Sequence, residues 1–409
     1  MNTPSHLNHA NLIAAEFLGL APFLRLNIAG EDLLPIGQEI LTKLQTQNND
    51  PNLWMNLSTI MFCLGQRDIG LSMQSQALEI QHIYHLSAQQ KPAKLCVLLL
   101  MAAGDLAANT PLDCLLENSD IELIYYFVNA EQALALPTHD VMMVAISEAD
   151  ENSALLNQLQ QELVNWPKPI INAPHKIPRV ERFAAAQLLQ NVPGLFIPPT
   201  LRLSRKKLQG LVNAKITIQT LLAGSDFPLI IRPVGSHAGK DLEKLESMAD
   251  LQSYFSRVDV IEYFLSPFID YSNNDGLFRK YRIALLDGKA FACHMAVSAH
   301  WMIHYVNAGM YEDGQKRAEE AAFIADFANF AERHQAALAA ISQRTELDYV
   351  CLDCAETADG QLFVFEIDHA MVVHGMDPEA QFAYKQVAIQ QLRDAFRGFL
   401  FRMSVDSLK

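Results

Sequence analysis

The apolar run from Leu95 to Ala103 restricts most strongly what this 409-residue chain can fold into. It is about half as long as a membrane-spanning helix, so it predicts a buried β-strand over residues 94–101. Strand and helix patterns then alternate as far as residue 175, which predicts a small parallel sheet covered on both faces. The further strands are expected at residues 121–128, 140–146 and 169–172, and the helices at residues 110–116, capped by Thr110, and 152–166. This segment contains no Gly-x-Gly-x-x-Gly motif, which argues against a dinucleotide site in it.

Residues 1–90 have a helical period, and we predict an all-helical segment. Asp50 and Pro51 can serve as the N-cap and the first helical residue of one helix. From residue 54 onward, the spacing is typical of a tetratricopeptide-type helical pair of about 34 residues. The residues at its packing positions are Trp54, Leu57, Met61, Gly65, Gly70, Ala77 and Leu78. Two interpretations stay open: a helical hairpin docked on the next domain, or a groove that contacts a peptide or protein.

The charge of the chain is unevenly distributed. The sequence has 31 basic and 46 acidic residues, giving a net charge of −15. Residues 1–175 contain 6 basic and 18 acidic residues, whereas residues 176–409 contain 25 and 28. The acidic excess argues against a protein that coats nucleic acid, and it places any anion site in the second half. The N-terminal residues lack a signal-peptide pattern and six cysteines are too few for a disulfide scaffold, so we expect a cytoplasmic protein without membrane contact. The sequence leaves a homodimer open.

The second half of the chain reads as two hairpins and several isolated elements. Strands are expected at residues 227–233, 258–264, 278–286, 289–297, 348–355 and 361–368, and helices at residues 180–189, 315–343 and 379–403. Asp287-Gly288 between two apolar runs is typical of a two-residue hairpin turn. This mixture of elements predicts an α+β region after the parallel αβ segment.

Two carboxylates share one face of the last expected strand. The two-residue period puts Glu366 and Asp368 on one face and the apolar side chains of Phe363, Phe365 and Ile367 on the other. Asp353 on the partner strand can point to the same place. Converging carboxylates suit a hard divalent cation such as Mg²⁺ or Mn²⁺. The alternative is a half-exposed strand whose acidic side chains face water.

Two groups of cations in this half could bind an anion. Arg232 ends a strand and is followed by a loop of small residues, which can direct backbone N–H groups and a guanidinium at phosphate. The loop residues concerned are Gly235, Ser236, His237 and Gly239. Lys280 and Arg282 alternate onto one face of a strand, where an anion between them would offset their repulsion. The alternatives are an ordinary turn and an exposed edge strand protected by its charges.

The order of these features resembles the ATP-grasp superfamily, and most closely its glutathione-synthetase-like and ribosomal-protein-glutamate-ligase-like branch. The resemblance covers roughly residues 91–400. It implies a small parallel αβ domain at residues 91–178 and an ATP-grasp domain at residues 179–409, while the predicted all-α segment at residues 1–90 lies outside it. In that domain two α+β subdomains would sandwich ATP.

The resemblance also implies an ATP-dependent carboxylate–amine ligase that forms an amide or peptide bond through an acyl-phosphate. Its cofactors would be ATP and Mg²⁺ or Mn²⁺, and its substrates a small-molecule or peptide carboxylate and an amine. Other ATP-grasp chemistry, namely a kinase or a carboxylate–thiol ligase, stays open, as does a non-catalytic nucleotide-binding scaffold.

Individual positions take roles from the resemblance. Lys280 and Arg282 would bind the transferring phosphate, and the metal ligands would be Asp353, Glu366 and Asp368. The nucleotide-binding residues would be Arg182, Arg232, Gly235, Ser236, His237, Gly239, Phe268, Ile269 and Asp270. The chain departs from the family pattern in having Glu366-x-Asp368 for Glu-x-Asn, and Arg232 and Arg182 for the phosphate lysines.

A group of histidines follows the hairpin, on a surface that the family places beside the acceptor substrate. We expect some of these residues to recognise a carboxylate or to act as a base. The substrate candidates are His294, Ser298, His300 and His374, with His304 and His369 in the same group. A transition-metal site and a purely structural role are the alternatives.

Overall fold

A computed structural model of the protein describes residues 12–13, 15–236 and 239–406. The fold is mixed α/β, and the described residues form three sheets. The chain divides into two compact units. The first unit contains residues 1–147, 151–175 and 369–409, and the second contains residues 148–150 and 176–368. Residues 176–368 are therefore an insertion in the chain of the first unit. The segment boundaries after residues 90 and 178 stay predictions.

The first unit begins with helices. They are α1 (Ala21–Ile28), α2 (Leu34–Leu44), α3 (Pro51–Cys63) and α4 (Arg67–Ile80). Asp50 caps α3 as expected, because its Oδ1 accepts from the backbone N–H of Asn52 at 2.9 Å and of Leu53 at 3.2 Å. Gly70 of α4 lies against the Phe62 ring, which a Cβ there would approach to 2.5 Å. The tetratricopeptide-like character of the pair stays a prediction.

The all-helical expectation for residues 1–90 is wrong at its end. Strand β1 (Ile83–Leu86) pairs antiparallel with a strand of the αβ segment. Tyr84 is fully buried in β1, and its hydroxyl donates to the carbonyl of Ala77 at 3.1 Å. Burial of this single aromatic side chain and the backbone pairing outweigh the helical period of the sequence before it.

The expected parallel sheet is present, with β1 as an antiparallel edge. Its strands β2 (Leu95–Met101), β3 (Ile121–Phe127), β4 (Val141–Val144) and β5 (Ile170–Ile171) lie in the order β1-β3-β2-β4-β5. The connecting helices are α5 (Leu112–Leu116) and α6 (Ser153–Leu163). Thr110 does not cap α5, because its hydroxyl donates to the carbonyls of Ala145 and His369 instead.

The last helix of the chain completes the first unit. This helix, α14 (Glu379–Asp406), is kinked at Phe382 and buries Phe396 and Leu400. Arg397 makes a two-pronged ion pair with Asp120 at 2.6 and 2.7 Å. The core of the first unit therefore combines the beginning and the end of the sequence. None of the helices within the described ranges is both long and apolar enough to span a membrane.

The second unit contains the other two sheets. Its first helix is α7 (Arg182–Leu188). The smaller sheet comprises β7 (Leu201–Ser204), β8 (Leu229–Pro233), β9 (Glu243–Leu245) and β10 (Glu262–Pro267). This sheet is antiparallel, with the strand order β7-β10-β8-β9. It packs on a core formed with helices α8 (Arg205–Val212), α9 (Ile218–Leu221) and α10 (Met248–Arg257).

The larger sheet of the second unit comprises β6 (Leu195–Phe196), β11 (Phe278–Leu286), β12 (Lys289–Ser298), β13 (Tyr349–Glu356) and β14 (Leu362–Asp368). Its strand order is β12-β11-β13-β14-β6, and within it only β6 runs parallel to its neighbour.

Both hairpins of the larger sheet form as predicted, but the long helix does not. Asp287 and Gly288 have φ angles of 50° and 73°, as the tight turn between β11 and β12 requires. Residues 315–343 form three helices rather than one, with breaks at Asp326 and His334. They are α11 (Gly314–Ala325), α12 (Phe327–Arg333) and α13 (Gln335–Thr345). The second break lets His334 pair with Glu356 at 2.8 Å.

Candidate active site

Both sheets of the second unit line one cavity. The smaller sheet contributes Arg232 from β8 and Phe264 from β10. The larger sheet contributes Lys280 from β11, Asp353 from β13 and Glu366 from β14. Polar groups of both signs therefore line the same cavity.

A polar row crosses the larger sheet. In register, His294 of β12 lies opposite Arg282 of β11, Arg282 lies opposite Asp353 of β13, and Asp353 lies opposite Glu366 of β14. Directly opposed residues point to the same face of a sheet. The register thus places an imidazole, a guanidinium and two carboxylates side by side on one face.

The separation of apolar and acidic faces on β14 is incomplete. We expected Phe363 and Phe365 to point away from Glu366, yet both also line the cavity. The register shifts by one residue after the pair of Asp353 and Glu366, which leaves Phe365 as an extra residue on β14. Such a bulge interrupts the two-residue period, so the expectation of strict alternation is wrong here.

Asp353 is held by two cations. Its oxygens accept from Arg282 Nε at 2.8 Å, from Arg282 Nη2 at 3.0 Å and from Lys280 Nζ at 3.0 Å. Burial would raise the pKa of Asp353, but the charges of Arg282 and Lys280 lower it well below its usual range. The same carboxylate raises the pKa of Arg282 against the effect of burial. Asp353 and Arg282 are therefore ionised at neutral pH.

The other two predicted carboxylates have different neighbours. Glu366 forms an ion pair with Arg182, whose Nη1 also donates to the carbonyl of Phe365 at 3.4 Å. Asp368 has a carboxylate oxygen within 4.8 Å of one from Glu148. Arg182 therefore lies beside the carboxylates, and a fourth carboxylate joins the set.

Sequence reasoning missed Glu148. It follows β4 in the loop where that strand's apolar run ends, and it lines the cavity of the second unit. Burial, and after it the charge of Asp368, raises the pKa of Glu148 to about 8. The available signal was its position at the carboxyl end of a parallel strand, where ligand-binding residues collect in α/β folds.

The carboxylates fit a divalent cation at one corner of the cavity. Glu148 Oε2 is buried and has no hydrogen-bond partner among the described residues. Two carboxylates at short range with an unsatisfied oxygen are costly without a counter-ion. Carboxylate oxygens are the ligands that Mg²⁺ prefers. Among those residues, however, Glu148 and Asp368 are the carboxylates whose oxygens come within 4.8 Å of each other, and neither Asp353 nor Glu366 adds a third oxygen within that distance of both.

The small-residue loop lies at the end of β8. Arg232 Nε donates to Ser236 Oγ at 3.1 Å, and Nη2 donates to the carbonyl of the same residue. Burial, and after it the like charge of Arg182, lowers the pKa of Arg232 to about 8. The charge of Arg182 acts on the buried Arg232, and an anion beside Arg232 would offset this repulsion. Gly235, Ser236 and Gly239 also line the cavity, whereas His237 lies outside the described residues.

Aromatic residues form another part of the cavity wall. The Phe268 ring packs edge-on against Trp301 at 5.6 Å and lies 4.0 Å from Lys244 Nζ. The backbone N–H of Phe268 donates to the carbonyl of Pro228 at 3.0 Å, and Ile269 also lines the cavity. Asp270 is exposed, is not among the lining residues, and accepts from the N–H of Ser272 at 2.9 Å.

The remaining candidates do not line the cavity. Arg282 reaches it only through Asp353, and His294 packs on Tyr305 with ring centroids 4.9 Å apart. Ser298 is buried and accepts from the N–H of His300, whose exposed ring stacks on Trp301. His374 belongs to the first unit, where its Nδ1 accepts from the N–H of Met376 at 3.2 Å. From the same group of histidines, His304 does line the cavity.

Replacing Gly239 by alanine is expected to weaken binding of Mg·ATP, the ligand that the family resemblance implies, about tenfold, because the new Cβ would push His304 and the small-residue loop apart. Gly239 has a φ of 70°, and a Cβ there would lie 2.6 Å from His304 Nε2. Gly276→Ala is the matched control, since Gly276 has a φ of 76° but open space around it. Titration calorimetry should show a larger loss for Gly239→Ala. Equal affinities of the two variants would contradict the importance of this close approach.

Comparisons with known proteins return ATP-grasp ligases by structure and nothing by sequence. No protein-family model matches the chain, and no curated protein matches it. The RimK domain ATP-grasp protein from Sphaerobacter thermophilus is 13% identical, with a TM-score of 0.41 over 72% of this chain and 98% of that one. The D-alanine–D-alanine ligase from Bacillus anthracis is 12% identical, with a TM-score of 0.41 over 74% and 99%. The VanG D-Ala:D-Ser ligase from Enterococcus faecalis is 11% identical, with a TM-score of 0.45 over 75% and 98%.

Proposed function

We propose that the protein is an ATP-dependent carboxylate–amine ligase that forms an amide or peptide bond through an acyl-phosphate. The observation that carries the proposal is the charge layout of one cavity. Arg232 and Lys280 supply cations for a polyphosphate, while Glu366, Asp368 and Glu148 supply oxygen ligands for a metal ion. A nucleotide triphosphate with its divalent cation is the ligand class that satisfies both sets of groups.

The nucleotide would occupy the cavity along its length. The backbone of Phe268 and Ile269 would bind the purine, with the aromatic rings providing apolar surface. Arg232 and the loop from Gly235 to Gly239 would bind the phosphates. This arrangement supports ATP as the bound nucleotide and agrees with the order of residues that the family resemblance implies.

Glu366, Asp368 and Glu148 would hold Mg²⁺ or Mn²⁺. A bound cation offsets the charge that spreads over a transferring phosphoryl group. Asp353 would contribute less directly, because both of its oxygens already accept hydrogen bonds from Arg282 and Lys280. Its role would be to fix the positions of these two cations beside the phosphate.

The reaction would proceed in two steps. In the first step, an oxygen of the substrate carboxylate would attack the γ-phosphorus of ATP. A new P–O bond forms to the carboxylate, and the bond between the γ-phosphorus and the oxygen of ADP breaks. In the second step, the amine nitrogen attacks the acyl carbon and forms the C–N bond. The C–O bond to phosphate breaks, phosphate leaves with its electron pair, and the nitrogen loses a proton. Lys280 would hold the phosphoryl oxygens during both steps, because its ammonium lines the cavity and is oriented by Asp353.

Incubation with Mg·ATP and a fractionated metabolite extract tests the proposal. Mass spectrometry should reveal a product whose mass equals a carboxylate plus an amine minus water, with one phosphate and one ADP released per product. A stable phosphorylated product would indicate a kinase instead, and a thioester product would indicate a carboxylate–thiol ligase. Binding of ATP without any ATP-dependent change of mass would indicate a nucleotide-binding scaffold. Lys280→Met should abolish formation of the ligated product.

The location and the partners of the protein form a further part of the proposal. We propose a cytoplasmic enzyme whose acceptor or donor is a small molecule or a peptide. The helices α1 to α4 are proposed as the surface that contacts a peptide or protein. A pull-down with residues of α3 and α4 exchanged for charged ones would test that contact independently of ATP turnover.

A further inference from the structure

His304 occupies a loop that the second unit holds firmly in place. The loop follows β12, and its Tyr305 hydroxyl donates to Glu320 Oε2 at 2.8 Å. Glu320 is fully buried and also accepts from the N–H of Met295 at 3.0 Å. Farther along, Lys316 Nζ donates to the carbonyl of Ala308 at 2.6 Å. These contacts position the loop before any ligand binds.

His304 itself is fixed at the start of a 3-10 turn. Its backbone N–H donates to Asn307 Oδ1 at 2.9 Å, and the two residues form a capping box. This geometry directs the ring toward the cavity wall. The side chain is therefore placed by local backbone structure rather than by a ligand.

The Nε2 atom of the His304 ring is buried. Nε2 has no hydrogen-bond partner among residues 12–13, 15–236 and 239–406. It faces the small-residue loop so closely that a Cβ on Gly239 would lie 2.6 Å away. An unsatisfied buried ring nitrogen costs free energy, and a bound ligand can recover it.

The charges around His304 indicate what kind of ligand would satisfy its Nε2 atom. The groups that act on its ring electrostatically are the cations Lys280, Arg232 and Arg282 and the carboxylate Asp353. Burial, and after it the charge of Lys280, lowers the pKa of His304. A neutral imidazole keeps one N–H group, which can donate to an anionic oxygen without adding another positive charge.

We propose that His304 donates a hydrogen bond from Nε2 to the γ-phosphoryl group of ATP, an inference that rests on the ligase function proposed above. The donor lies at the end of the cavity where Lys280 and the Gly239 loop converge. It would touch the phosphoryl oxygens before transfer and keep its proton throughout. Its effect is largest as charge develops on those oxygens, which is where preorganised donors act most strongly.

Titration calorimetry with two probes tests the assignment without knowledge of the substrates. The probes are Mg·AMP-PNP, which has a γ-phosphoryl group, and Mg·ADP, which lacks one. His304→Leu should weaken binding of Mg·AMP-PNP about tenfold or more and leave Mg·ADP within about twofold. His304→Gln, whose amide can donate from a similar position, should stay within about threefold of the wild type for both probes.

Each outcome of this experiment has a distinct meaning. Equal weakening of both probes in His304→Leu, or no weakening of either, would overturn the inference while leaving the proposed function intact. A His304→Gln variant as weak as His304→Leu would exclude the donor role. Wild-type protein that binds neither probe would refute the proposed function itself. His85→Leu, a change of an exposed histidine on β1, is the control, and circular dichroism verifies that each variant is folded.

Discussion

Glu366→Gln is expected to lower the rate of ATP turnover at least about a hundredfold. The change keeps the size of the side chain but removes the charge that pairs with Arg182 and would ligate the metal ion. Arg182 is then left beside Arg232 with fewer anions to offset its charge, and the phosphoryl group loses part of its stabilisation. The measurement is steady-state release of ADP, with the substrate pair that the product screen identifies.

The control for Glu366→Gln is the same substitution at Glu356. This residue lies on the neighbouring strand β13 and pairs with His334 and Arg333, away from the cavity. Glu356→Gln should retain turnover within about threefold, as is common for changes outside a site. Similar rates for Glu366→Gln and the wild type would refute the role of this carboxylate.

Asp353→Asn is expected to lower the free energy of unfolding by about 3–5 kcal/mol, as is typical when one partner of a buried ion pair is removed. The Asp353 side chain is 3% exposed, and those of Lys280 and Arg282 are 12% and 18% exposed. The substitution leaves two cations in a poorly solvated place with no full counter-charge. Denaturant unfolding followed by circular dichroism provides the measurement.

A second substitution distinguishes loss of charge balance from loss of shape. Lys280→Met removes one of the cations that Asp353→Asn leaves unpaired, so the double variant should lose less stability than the sum of the single variants. A strictly additive double variant would show that the carboxylate and the ammonium do not interact. A loss below about 1 kcal/mol for Asp353→Asn would show that the pair contributes as little as one on the surface.

The parts of the fold that depend on neighbouring residues could be predicted from the sequence. Asp287-Gly288 specifies its turn by local backbone preference, and Asp50 caps a helix through residues only two and three positions away. The breaks at Asp326 and His334 could not be predicted in this way. No glycine or proline marks them, and the second one accompanies a contact with Glu356, which is 22 residues farther along.

In the candidate site, too, local sequence predicted some of the neighbouring residues, and only the tertiary fold revealed the others. Asp353 and Glu366 were placed together because they lie on the two strands of one predicted hairpin. The pairing of Arg282 with Asp353 was not predicted, because β11 and β13 are not consecutive strands. Glu148 comes from a loop more than 200 residues before Asp368, so only the tertiary fold reveals their proximity. The bulge at Phe365 has no sequence signal either, since it depends on a slip of register between two strands.

The order in which the two units can complete their folding follows from the position of α14 in the chain. Domains usually fold from the N-terminus as a nascent chain appears. Here the first unit lacks Arg397, which pairs with Asp120, and the buried side chains of Phe396 and Leu400 until the ribosome has passed residue 400. The inserted unit, which ends at Asp368, is complete earlier. The second unit would therefore fold first, while the first unit still lacks the helix that supplies part of its core.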